Sequence, residues 1–176
     1  MIHDFGERLA FSQSEAHVKA VTEFLKREIP GCVDAVKTDI TTDKKGIDYI
    51  VKLKGGAEIG VDEKMRDKGA SKYWYYDEAE LALETWSVYR SVLGWTFSTK
   101  TNVDYILYTF DPSDWDKAYL FPYQLLRMAL HHNGEDWAEK FSIKLQTSNG
   151  WQSQAMFVPA SVVVDAVAAE MQRGKL

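Results

Sequence analysis

The stretch GIDYIVKLKGGAEIGVDEKMR, Gly46 to Arg66, constrains the fold of this chain more than any other. It holds two runs rich in β-formers, GIDYIVKL and AEIGVDEKM, divided by Lys54-Gly55-Gly56. Glycines tolerate the positive φ of a tight hairpin turn, so the two runs are expected to pair as antiparallel strands. A β-sheet is then required. Period-two alternation places Asp62 and Lys64 on one face of the second strand, with Ile59, Val61 and Met65 on the other. Asp48, on the first strand, stands fourteen residues before Asp62. Two carboxylates and an amine can therefore converge.

The flanking segments supply helices and further strands. Ser14 is a candidate N-cap with Glu15 in the first turn, and Val18, Val21, Leu25 and Ile29 recur at helical spacing until Pro30-Gly31 stops them. Val33 to Thr38 suits either a first strand or a continuation of that turn, and Asp43-Lys44-Lys45-Gly46 punctuates before the hairpin. Beyond it, AELALETWSV reads as a strand whose alanines and leucines would also allow a helix. NVDYILYTF is a strand ended by Asp111-Pro112. Both are expected to join the hairpin in one central sheet. FPYQLLRMALHH predicts a second helix, with Pro122 near its start and Asn133-Gly134 as its close. IKLQTS and QAMFVP predict two short strands around Asn149-Gly150, and Pro159-Ala160-Ser161 opens a final helix through Val164, Val167 and Met171. No repeat or low-complexity tract interrupts this order, so one α/β domain over residues 1–176 is expected, a mixed β-sheet flanked by helices.

Composition narrows the function classes. A chain of 176 residues with 45% hydrophobic residues can build its core without metal or disulfides. Cys32 is its single cysteine, so neither an internal disulfide nor a cysteine zinc site is expected. The N-terminal MIHDFGERLAF shows no basic segment followed by an apolar one, and no apolar run approaches the roughly 20 residues of a membrane span. A cytoplasmic protein is the expectation. The formal net charge of −5 argues against wholesale coating of nucleic acid. KMRDKGASK nevertheless sets Lys64, Arg66, Lys68 and Lys72 against Asp67 alone, which suits either a solvated loop or a local basic edge. The adjoining Tyr73-Trp74-Tyr75-Tyr76 suits base stacking, a core or a subunit interface. His131-His132 point about 100° apart on a helix and are expected to answer its C-terminal dipole rather than hold a metal.

Two acids and a lysine on one side of a hairpin are costly without partners, because carboxylates repel and burial penalises each charge. A divalent cation relieves that cost. Magnesium prefers hard oxygens, so Asp48, Asp62, the backbone carbonyl of Glu63, waters and a phosphate oxygen suit its shell, and manganese can take its place. Lys64 beside it would hold the attacking water and stabilise charge on the phosphate. A surface salt-bridge ladder accounts for the same residues but requires no particular order among them.

That order, an acid, a short hairpin, then acid-x-lysine, resembles the signature of the PD-(D/E)XK phosphodiesterases, the restriction-endonuclease-like superfamily. The motifs here are Ile47-Asp48, in place of a strict Pro-Asp, and Asp62-Glu63-Lys64. The resemblance implies a restriction-endonuclease-like core over about residues 14–110, followed by an α/β extension over about 111–176. It implies a magnesium-dependent enzyme that cuts DNA phosphodiesters by an activated water, and such domains often act as homodimers. Members similar to Holliday-junction resolvases carry a glutamate early in the first helix, which makes Glu15 a further catalytic candidate. A plain first-turn acid favoured by the helix dipole is the other reading of Glu15. Weaker likeness in ALETWS, GWTFSTKT and NVDYILYTF adds Glu84 as an assisting acid, Lys100 as a phosphate contact and Asp104 as a strand-end residue. With Lys100, Arg66, Lys68 and Lys72 complete the expected DNA contacts. A nuclease-fold protein that binds, inhibits or assembles without cutting is the alternative.

Overall fold

The computed structural model describes residues 12–39, 46–65, 79–110, 118–148 and 150–174. Among them, no helix is long and apolar enough to cross a membrane. The chain divides into two units, Met1–Lys68 with Asn102–Leu120, and Gly69–Thr101 with Phe121–Leu176. The motif-bearing span 14–110 is thus shared between them.

In the first unit, Ser14 starts helix α1 (Glu15–Glu28) because its hydroxyl oxygen accepts the His17 N–H, one of the donors a helix start leaves without a partner. His17, Val21, Phe24 and Leu25 form its buried stripe. Ile29 leaves the helical region at φ −93° and ψ 110°, and Gly31 at φ 78° turns the chain into β1 (Cys32–Lys37). β1 pairs antiparallel with β2 (Tyr49–Leu53), and β2 antiparallel with β3 (Glu58–Met65). The expected hairpin is present, with Gly55 and Gly56 at φ 98° and 88° in its turn. In the same unit, β3 runs parallel to β6 (Tyr105–Thr109).

Asp104 fixes where that parallel pairing begins: its backbone N–H donates to the Gly60 carbonyl at 2.9 Å while its Oδ2 accepts the Gly60 N–H at 2.8 Å. β7 (Tyr119–Pro122) completes a mixed sheet of order β1-β2-β3-β6-β7. Helix α1 covers one face, where Val21, Phe24, Leu25, Ile29, Tyr49, Val51, Val61 and Leu107 form a buried cluster. Truncating one such leucine costs about 2–5 kcal/mol, so this cluster holds the hairpin to the helix.

The second unit contains β4 (Glu80–Val88), β5 (Val92–Leu93), helix α2 (Tyr123–Lys140), β8 (Ser142–Ser148), β9 (Trp151–Pro159) and helix α3 (Ala160–Arg173). Its sheet is antiparallel, of order β5-β4-β9-β8. Four consecutive buried residues, Ala155 to Val158, show that β9 is covered on both faces. The strands IKLQTS and QAMFVP form the expected hairpin, closed in register at Ser148 and Trp151 with Gly150 at φ 85°.

The structure departs from two expectations. The strand AELALETWSV does not join the hairpin's sheet: β4 pairs with β9, because alternation defines a strand without choosing its partner. Helix α2 does not stop at Asn133-Gly134 but continues to Lys140. Asn133 Nδ2 turns back to the Ala129 carbonyl at 2.8 Å, and Trp137 is buried one turn on. Burying a tryptophan outweighs the ~1 kcal/mol that glycine costs inside a helix. His131 and His132 therefore lie within α2, not at its C-terminal end.

Candidate active site

The β2–β3 register sets Tyr49 opposite Val61, so the next step outward sets Asp48 beside Asp62. Asp48 is tied there by both its groups: its N–H donates to the Val61 carbonyl at 2.9 Å, and its Oδ2 accepts the Glu63 N–H at 2.7 Å. Asp62 is 3% exposed and forms an ion pair with Lys64, whose Nζ lies 2.7 Å from each carboxylate oxygen. Alternation along β3 produces that pair, since residues two apart share a face. The three residues expected to act together thus line one recess of about 300 Å³. Lys37 reaches the recess from the end of β1, and Ser12 and Gln13 from the lead into α1.

Glu63 directs its side chain differently. Its carboxylate is buried, with His17 Nε2 from α1 at 2.9 Å, and it accepts the hydroxyls of Tyr49 and Thr109 at 3.5 Å each. Only its backbone N–H engages Asp48. Burial first, and then the charges of Glu63 and Asp48, hold the Tyr49 phenol far above its ordinary range, so Tyr49 remains a neutral donor. The Tyr49 ring also receives the Lys37 ammonium, 4.6 Å from its centroid. One connected layer, Lys37, Tyr49, Glu63 and His17, therefore underlies the strand that carries Asp62 and Lys64.

The remaining candidates are distributed more widely. Glu15 is exposed in the first turn of α1 and does not line the recess. Glu84 belongs to the second unit, where its Oε2 accepts the Trp95 N–H at 3.4 Å. Lys100 is exposed in the same unit, its backbone N–H donating to Ser98 Oγ. Arg66, Lys68, Lys72 and the run Tyr73 to Tyr76 lie outside the described residues. His132 meets the buried Glu170 carboxylate at 2.8 Å, and Arg173 reaches the same oxygen.

Among the described residues, no group of three or more His, Cys, Asp or Glu side chains is arranged to hold a metal ion. Magnesium does not need one, because it is usually held by one or two carboxylates, with waters and substrate oxygens completing its shell. Asp48 and Asp62 are the hard-oxygen donors that fit this requirement.

Sequence reasoning passed over His17, Tyr49 and Lys37. A histidine at 17 shares one helical stripe with Val21 and Leu25, and a polar group on an apolar stripe needs a partner. That signal was available for His17. Lys37 becomes visible only once the β1–β2 register sets it opposite Tyr49.

No family model matches the chain, and no curated protein or solved structure matches it.

Proposed function

We propose that this protein is a metal-dependent nuclease of the PD-(D/E)XK type, its first unit being the restriction-endonuclease-like core and its substrate a DNA phosphodiester. The observation that carries the reading is the cross-hairpin contact of Asp48 with the Glu63 amide at 2.7 Å, beside the Asp62–Lys64 pair. A salt-bridge ladder explains Asp62 and Lys64 but gives no reason for a second carboxylate folded against the same edge.

In this reading Asp48 and Asp62, with the Glu63 carbonyl, would hold magnesium or manganese, which supplies charge neutralisation at the phosphate and lowers the pKa of water. Lys64 turns a charged donor toward the recess, where it orients the attacking water and answers charge growing on the phosphate. The buried Glu63–His17 contact fixes the strand between them, so the groups are positioned before substrate arrives. Water attacks phosphorus, the bond to the leaving oxygen breaks, and no covalent enzyme intermediate forms. DNA is proposed over RNA because the resembling families mostly cut DNA.

A second reading, a protein of the same fold that binds or assembles without cutting, is favoured by the Asp62–Lys64 pair itself. That pair satisfies both charges without a metal. Calorimetric titration with magnesium or manganese separates the two. Saturable binding that disappears in Asp62→Ala is expected for the nuclease, and absence of binding in the wild type refutes it.

A further inference from the structure

Two lysines reach the recess, and they are committed differently. Lys64 Nζ lies 2.7 Å from both oxygens of Asp62. Lys37 closes β1, lines the same recess, and rests its ammonium on the ring of its register partner Tyr49, 4.6 Å from the centroid. Among the described residues its ammonium has no carboxylate partner. Its support is a neutral ring, because the Tyr49 phenol stays protonated in its buried place.

A contact of this kind holds the stem of a lysine without using its donors. A cation over an aromatic face is held by the ring quadrupole, which leaves the ammonium N–H groups able to bond elsewhere. The recess around it carries the acids Asp48 and Asp62, whereas the Glu63 carboxylate is buried against His17. An entering phosphodiester is itself anionic; a metal on Asp48 and Asp62 would offset their charge at the scissile phosphate, and an ammonium not already paired adds a donor for the phosphate oxygens. Lys64 answers Asp62, and Lys37 is the lysine left over.

We propose that Lys37 is the substrate-binding residue through which this recess takes hold of a phosphodiester, its Nζ bonding a non-bridging phosphate oxygen while Tyr49 holds its stem. The assignment rests on the nuclease reading and adds the group that binds the substrate's charge. Its rival is a purely structural role, in which the lysine only covers the Tyr49 ring.

The two roles separate on charge. Lys37→Met keeps an apolar stem over Tyr49 and removes the ammonium, whereas Lys37→Arg keeps the charge. The probes are a linear duplex and a single-stranded DNA, with cleavage followed in magnesium and binding followed separately in EDTA across a salt series. Lys37→Met is expected to raise KM and the dissociation constant about tenfold, as losing one charged hydrogen bond would. Its plot of log affinity against log salt is expected to become shallower by about 0.9 for the duplex, the value of one lost phosphate contact. Lys37→Arg restores both, and each variant is expected to melt cooperatively, with Lys37→Met no more than a few degrees below the wild type. Should Lys37→Met fail to fold, Lys37→Gln carries the same comparison. A wild type that cuts or binds DNA while the neutral variants keep its KM and salt slope overturns the assignment and leaves the nuclease reading standing. A wild type that neither cuts nor binds these probes overturns the assignment, and one that is inert on circular and branched DNA as well overturns both.

Discussion

The layer beneath β3 is open to a thermodynamic test through the His17–Glu63 pair. His17 Nε2 lies 2.9 Å from Glu63 Oε1, and the side chains are 0% and 4% exposed. Removing one partner leaves the other buried without its main bond, which costs about 1–3 kcal/mol, and more where the group left behind is charged. The hydroxyls of Tyr49 and Thr109 stand 3.5 Å from Glu63, at the weak end of hydrogen bonding, so they return little of that loss. His17→Ala and Glu63→Ala should therefore each cost about 2–3 kcal/mol or more, and the double variant about 1–2 kcal/mol less than their sum. Urea unfolding followed by circular dichroism reads all four proteins, with a constant slope confirming that midpoints report stability. A coupling below about 0.5 kcal/mol refutes the reasoning, since residues in direct buried contact do not behave additively.

Other outcomes follow from the same geometry. The raised Tyr49 pKa means that the folded state keeps a proton that the unfolded chain gives up near pH 10. The stability this provides is fully present below about pH 10 and is lost at up to ~1.4 kcal/mol per pH unit above it, and Tyr49→Phe should flatten that alkaline decline in a pH series of urea midpoints. Gly94→Ala should destabilise by about 2 kcal/mol or more, because a Cβ there would collide with the Glu84 carbonyl oxygen and backbone offers little room to yield. Gly134→Ala is expected to do the reverse in the same melts, gaining about 0.5–1 kcal/mol, since it lies inside α2 with nothing within 4 Å of the new methyl.

What the sequence made legible was local. Ser14 as a cap, Gly55-Gly56 as a turn, and Asp62 with Lys64 on one face all follow from rules that span a few residues, and the structure reproduces each. The partner of β4 could not be read that way, because Glu80 to Val88 meets a strand that begins only at Trp151. Alternation defined the strand, while burial in the second unit chose its neighbour. Gly134 misled for a related reason: a local breaker was overruled by Trp137 packing one turn later. In the recess, parity already placed Glu63 opposite Asp62, but its partner comes from α1, forty-six residues earlier. Lys37 depends likewise on a register that no short window of sequence contains.

The central claim is that Asp48, Asp62 and Lys64 form one hydrolytic site. Its most direct test is a digestion panel of circular, linear, branched and single-stranded DNA in magnesium, comparing the wild type with Lys64→Ala and Asp62→Asn of verified fold. Cleavage of at least one substrate by the wild type is expected, with none in EDTA and none by either variant. Cleavage that survives in Lys64→Ala, or a wild type inert on every substrate, would contradict it.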